Sequence, residues 1–304
     1  MGDRTVRAGD VMRALLAICA ALLALLPAPA SAWGFFAHQQ TGAIAEANVS
    51  PEVRAKIRAL LAYDKQLGTP ECPLETIEDA AVWADCIRGE GWRWGYTAAW
   101  HYRTAPVCEA FNARGNCAGG NCVTAQITRA HRVLADERLP PAVRLEALAF
   151  MIHFAGDVHM PLHSGDNEDR GGNDREADYG IKPGLNLHSI WDGPLAERAI
   201  SDPADPVVRR YTAAERADLA GGTPDDWGRE SWEIARSFVY PTAFDTDDLC
   251  SAPLPEKTAL TQEDIVRGVP IAKRRVQQAG LRIADLLESA FAPGPLVVED
   301  DRRR

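Results

Sequence analysis

Apolar residues recur along this chain at the three- and four-residue spacing of the α-helix, and polar stretches separate the runs. Ser50 and Pro51 make an N-cap followed by proline at the first helical position, and Ala, Ile and Leu then repeat to about residue 62. The same period predicts helices over 38–48, 75–88, 123–136, 142–157, 204–219, 224–240 and 263–291. The last is long and amphipathic, with Ile265, Val276, Leu281 and Leu287 on its apolar face. The helix over 142–157 ends ALAFMIHFAGD, too hydrophobic to be solvated all round, so its polar groups need partners. Between the helices, the aromatic-rich 91–106, the glycine-bearing 108–122 and the polar 165–184 read as loops. No stretch alternates with the period of a sheet and no internal repeat occurs. The pattern predicts a mainly α, single-domain protein.

The amino terminus follows a different rule. Arg4, Arg7 and Arg13 precede an apolar run over 14–26, and Ala30-Ser31-Ala32 is a small-residue cleavage site. The run is short of the ~20 residues that span a bilayer. Residues 1–32 are therefore expected to be a signal peptide, removed after Ala32 to leave Trp33 first, with the product secreted or periplasmic. The folded domain is expected over 33–293, and 294–304, acidic and then ending in three Arg, as a disordered tail.

At 304 residues and 46% hydrophobic, the chain can bury a sizeable core. Its formal charge is −10. Signal removal takes Arg4, Arg7, Arg13, Asp3 and Asp10 and leaves 30 Lys and Arg against 41 Asp and Glu, or −11. Such a surface repels polyanions and lacks the phosphate neutralisation that duplex-binding proteins rely on. Of seven Cys, Cys19 falls in the signal; the six that remain, an even number in an exported chain, read as disulfides.

Candidate chemistry concentrates in 153–192. His153 with Asp157 and His188 with Asp192 are His-x-x-x-Asp pairs, which a helix sets on one face. A single such pair is ordinarily a surface ion pair. Two pairs with His163 between them, in a chain of seven His, point to a divalent metal, and imidazole with carboxylate suits Zn²⁺. Asp85, near the C-terminal end of an apolar helix, opposes the helix dipole and asks for a cation. His38 and His101 complete the candidate set.

Six pieces then carry a resemblance: Trp-Gly-x-x-x-His (33–38), Trp-Ala-Asp-x-x-Arg (83–88), Trp-His-Tyr (100–102), His-Phe-x-Gly-Asp-x-His-x-Pro-Leu-His (153–163), Gly-Gly-Asn (171–173) and Asn-Leu-His-x-x-Trp-Asp (186–192). Together they resemble the zinc-dependent single-strand-specific nucleases of the S-one and P-one type, over nearly the whole mature chain. The resemblance implies the helical fold shared with zinc phospholipase C, stapled by disulfides, and three Zn²⁺ ions. It assigns one zinc to Asp85, His101, His153 and Asp157 and a second to His163, His188 and Asp192. The third falls to the α-amino nitrogen and carbonyl oxygen of Trp33, to His38, and to Asp157 as a bridge. An α-amino group, with a pKa near ~7.7, deprotonates onto a metal more readily than a lysine.

The implied activity is endonucleolytic hydrolysis of single-stranded RNA and DNA to 5′-phosphorylated products, with 3′-nucleotidase action, by a monomer without stable membrane association. Asp85 would also orient the attacking water and Arg88 steady the phosphate. Tyr102 would stack a nucleobase and Asn173 touch substrate at the rim. Two residues beyond Tyr102 the family usually has Asp or Asn to read the base edge; here Thr104 stands there. His159 is the motif histidine expected not to bind metal. The resemblance pairs Cys117 with Cys122 and Cys108 with Cys250, leaving Cys72 with Cys86. The rival enzyme, a phospholipase C, usually carries Glu where Asp192 stands, and a zinc-scavenging protein is the non-enzymatic rival.

Overall fold

The computed structural model describes residues 33–292. The expected signal peptide and tail lie outside the described residues. Eight longer helices set the frame: α1 (Phe35–Asn48), α2 (Pro51–Leu61), α3 (Ile77–Cys86), α4 (Val123–Ala135), α5 (Pro141–Asp157), α6 (Ala213–Leu219), α7 (Pro224–Ile234) and α8 (Gln262–Ala290). Side-chain caps explain where several begin. Ser50 accepts from Val53 N at α2. Thr76 with Asp79, Thr212 with Glu215, Thr223 with Asp226 and Thr261 with Asp264 form capping boxes at α3, α6, α7 and α8. No helix among the described residues is long and apolar enough to cross a membrane.

Helix α5 is the central strut. From Ala147 to Asp157 every residue is buried, and it packs against α3, α4, α1 and α8, as an all-round apolar helix must. One core cluster gathers around it, with Trp83, Ile127, Phe150 and Leu287. A second gathers Trp33, Leu162, Leu187, Trp191 and Val276.

Three expectations change. Residues 204–212 are not helical; Pro203 and Pro206 interrupt the pattern, and the Thr212 capping box starts α6 at Ala213. The aromatic segment is not a loop: a helical turn at Gly91–Trp94 runs into a 3₁₀ helix at Gly95–His101, with Trp94 and Trp100 turned inward. The glycine-rich stretch contains strand. With β1 as Ala105–Pro106 and β2 as Gly165–Asp166, paired in parallel, β3 (Glu176–Tyr179) turns at Gly180 (φ +59°) into antiparallel β4 (Lys182–Asn186) and pairs in parallel with β5 (Lys257–Leu260). These strands span two to five residues and bury at most one residue each, too little to write a period of two into the sequence.

Three disulfides staple the irregular parts: Cys72–Cys86, Cys108–Cys250 and Cys117–Cys122. Their Cα separations, 5.7, 5.5 and 4.9 Å, lie in the range a disulfide spans.

Candidate metal centre

Eight side chains singled out in the sequence come together. His38 comes from α1, Asp85 from the end of α3, His101 from the 3₁₀ helix, and His153 and Asp157 from the last turn of α5. After Asp157 the chain turns, and Pro161 opens the short helix Pro161–Ser164 that carries His163. His188 lies in Leu187–Ile190, capped by Asn186, and Asp192 in the π-helical turn Trp191–Leu195 that continues it. That wider turn keeps His188 Nε2 3.0 Å from Asp192 Oδ2.

The donor atoms converge in three groups: Asp85, His101 and His153; His38, His153 and Asp157; His163, His188 and Asp192. In the first, His101 Nδ1 stands 2.9 Å from Asp157 Oδ2, 3.1 Å from His153 Nε2 and 3.6 Å from Asp85 Oδ1. His153 Nε2 lies 3.1 Å from Asp157 Oδ2 and 3.7 Å from Asp85 Oδ1. A tetrahedral zinc with ligands at about 2.0–2.1 Å separates its ligand atoms by about 3.3 Å. The five distances bracket that edge. His163 Nε2 to Asp192 Oδ1, 4.0 Å, is looser.

Asp157 joins the groups. Its Oδ1 faces His38 Nε2 at 3.3 Å and His163 Nδ1 at 3.5 Å, while its Oδ2 belongs to the first set. The rings stack in pairs, His38 on His153 at 4.2 Å and His163 on His188 at 5.0 Å.

Backbone carbonyls aim three of the imidazoles. His153 Nδ1 donates to Ala81 O at 2.7 Å, His163 Nδ1 to His101 O at 2.9 Å and His188 Nδ1 to Gly171 O at 2.7 Å. Each leaves Nε2 pointing inward, the arrangement by which outer groups fix a metal-binding tautomer. The inward atoms are then short of hydrogen bonds: Nε2 of His38, His163 and His188, Asp157 Oδ1 and both Asp192 oxygens are buried without one. Buried polar atoms are almost always satisfied, so this concentration fits a set of cation ligands.

The charges conflict in the same sense. Burial pushes Asp192 up to about 6 and His163 down to about 3. Burial also opposes charge on His153, but Asp157 and Asp85 lift it to about 9. Asp157 is held well below the usual carboxylate range despite its burial, by His153 and His163 and by hydrogen bonds from His101 and His153. Packed carboxylates and neutral imidazoles satisfy one another best around divalent cations.

The remaining named residues fall around this centre. Trp33 is fully buried, its indole Nε1 bonds Gly156 O at 2.9 Å, and Gly34 N bonds Asp192 O at 2.8 Å, so the start of the described chain is pinned between Asp157 and Asp192. Arg88 places Nη1 3.3 Å from Asp85 Oδ1. Tyr102 lies against His163 at 4.8 Å, its phenol pushed up to about 12 by burial. Asn173 turns its amide onto Arg170 O. Thr104 has φ +53°, the left-handed region, at the position where the resemblance has Asp or Asn.

Sequence reading missed two supporting structures. Gly171, in the Gly-Gly-Asn piece, orients His188, and at φ +62° an added Cβ would meet Leu162 O at 2.2 Å. His159 is buried, and its Nε2 accepts from Arg282 Nη1 at 2.9 Å. Arg282 and Arg275 both bind Glu230, and Arg275 Nε donates to His159 O at 3.1 Å. Two arginines seven apart on the buried stripe of α8 were the available signal.

The model of the family described as S1/P1 Nuclease matches residues 33–292. Endonuclease 4 of Arabidopsis thaliana is 27% identical over 292 residues, covering 86% of this chain and 90% of its own length. Nuclease S1 of Aspergillus oryzae is 25% identical over 299 residues, covering 91% and 98%. Nuclease P1 of Penicillium citrinum is 26% identical over 178 residues, 57% of this chain and 61% of its own.

Proposed function

Since the chain belongs to the S1/P1 nuclease family, a family of phosphodiester hydrolases, we propose that it is a zinc-dependent endonuclease that cuts single-stranded RNA and DNA to 5′-phosphorylated products and also acts as a 3′-nucleotidase. The observation that carries this reading is the convergence of inward-facing, unsatisfied imidazole nitrogens and carboxylate oxygens at spacings a tetrahedral zinc requires.

In this reading Asp85, His101, His153 and Asp157 hold one zinc, and His163, His188 and Asp192 a second. Trp33, through its α-amino nitrogen and carbonyl oxygen, holds a third with His38 and Asp157. The position of Trp33 beside both carboxylate-bearing segments supports the expectation that signal cleavage after Ala32 frees an amine for the centre. Bound zinc supplies Lewis acidity, lowers the pKa of water and screens charge on the leaving oxygen. The protein supplies direction. Asp85 orients the attacking water in line with phosphorus, and Arg88, held against Asp85, binds the phosphate oxygens. Tyr102 at the edge of the histidines takes a base, and Asn173 lies on the loop that rims the site.

Purified mature protein, assayed for zinc and for hydrolysis of single-stranded nucleic acid and of phosphatidylcholine, tests the proposal. The expected result is bound zinc and EDTA-sensitive nucleotide release. Lipid turnover without nucleotide release would overturn it in favour of a phospholipase C, and bound zinc with neither activity in favour of a metal-scavenging protein.

A further inference from the structure

Asp169 is a buried carboxylate outside the metal centre, 1% exposed. Its Oδ1 accepts from Gly172 N at 2.8 Å and from Tyr240 OH at 2.6 Å, and its Oδ2 accepts from Arg175 Nε at 3.0 Å. The first of these bonds leads to the centre. Gly172 N–H and Gly171 C=O are the two ends of one peptide group, and Gly171 O receives His188 Nδ1 at 2.7 Å. Carboxylate, peptide and imidazole are therefore joined by two successive hydrogen bonds.

The other two imidazoles aimed by carbonyls are served differently. Ala81, which receives His153, lies inside α3, and His101, which receives His163, belongs to the 3₁₀ helix, so a helix sets each carbonyl. Gly171 and Gly172 lie in no helix or strand, and both sit at positive φ, +62° and +78°. A peptide between two glycines has no steric preference of its own to hold its carbonyl on His188. Asp169 supplies that hold. An ionised acceptor makes the stronger kind of hydrogen bond to N–H, and a peptide so polarised accepts better at its oxygen. Asp166 takes the preceding N–H, that of Gly171, at 2.7 Å, but the carbonyl of that peptide, Arg170 O, receives Asn173.

We propose that Asp169 is a positioning residue for His188, acting through the Gly171–Gly172 peptide to aim the ring and to raise the donor strength of its Nε2 toward a bound zinc. Outer carboxylates act on ligating imidazoles in this way by direct contact; here one peptide group is interposed. The inference rests on the zinc reading of the centre.

The test uses zinc-loaded protein labelled with ¹⁵N-histidine and reads the Nδ1–H resonances of His153, His163 and His188, then follows His188 while a chelator competes for zinc. Asp169→Asn is expected to move the His188 proton upfield, to leave those of His153 and His163 in place, and to raise the zinc dissociation constant read at His188 about tenfold. Asp166→Asn, an equal loss of charge in the same loop, should leave His188 as in wild type. Tyr240→Phe withdraws the second donor from Asp169 Oδ1 and should move the His188 proton downfield. An unmoved His188 proton or an unchanged dissociation constant in Asp169→Asn, or the same change in Asp166→Asn, would overturn the proposal. Should Asp169→Asn fail to fold, Tyr240→Phe decides, and an upfield or absent shift there overturns it. A wild type that retains no zinc would instead remove the metal reading beneath it.

Discussion

Single residues give the centre its direction. His153, His163 and His188 each commit one nitrogen to a carbonyl, so the other arrives at the centre with its lone pair aimed. The carbonyl of Gly171 is available to His188 because no side chain stands there, which makes Gly171→Ala a sharp test. Leu162 O would have to move, and the left-handed backbone would be strained, at a cost of roughly 1–3 kcal/mol. We expect a lower melting temperature and weaker zinc retention on dialysis, whereas a mere loop substitution would leave zinc content intact. Thr104 offers the opposite case. A β-branched residue at φ +53° is strained, and Asn tolerates that region. Thr104→Asn should stabilise the protein by about 1 kcal/mol, read by denaturant midpoint, and a loss of stability would show that Thr104 has compensating contacts.

At the scale of elements, the end of α5 is held by α7 and α8. A helix that stops at Asp157 leaves carbonyls without intrahelical partners. His159 Nδ1 donates to Ala155 O at 2.6 Å, Ser231 Oγ to Val158 O at 2.5 Å, and Arg275 reaches His159 O. Glu230 balances the two buried arginines, receiving Arg282 Nη2 at 2.8 Å and Arg275 Nη1 at 2.6 Å. Burial would raise the Glu230 carboxyl, but Arg282 and Arg275 hold it below its usual value. A depressed carboxyl stabilises the fold above its unfolded pKa, and that contribution fades as pH falls below about 4. Breaking a buried pair costs 3–5 kcal/mol, and discounting for the partial exposure of Glu230 leaves about 2 kcal/mol for Glu230→Gln at neutral pH. Melting curves against pH should show wild type and variant converging below about pH 4; a constant gap would place the effect elsewhere.

At the scale of the whole molecule, both core clusters feed the same centre, and both ends of the donor array depend on folding. Divalent ions that bind these buried groups should therefore stabilise the fold. EDTA is expected to lower the melting temperature by several degrees, with zinc restoring it, and an EDTA-insensitive melt would argue against ligation by Asp157. Trp33 tests the amino terminus. A mature-length protein carrying one residue before Trp33 replaces the amine with an amide and should retain one zinc fewer per chain than protein beginning at Trp33. Equal zinc content would exclude the amine as a ligand.

Helix periods, the capped start at Ser50 and the eight ionisable groups of the centre were legible in the sequence, because a helix writes its period into neighbouring residues and because histidine in such density is costly to bury without a use. The strands over 176–186, the absence of helix over 204–212 and the helical aromatic segment were not, since each depends on what packs against it. The sequence by itself determined which donors exist and which pairs share a helical face, both local properties of the chain. Only the tertiary structure decided that Asp85, His101, His153 and Asp157, up to 72 residues apart in the chain, close to a tetrahedral edge. It also decided that Gly171 and the Glu230–arginine cluster support that geometry. Convergence is set by packing between elements distant in the chain, and no local pattern of residues encodes it.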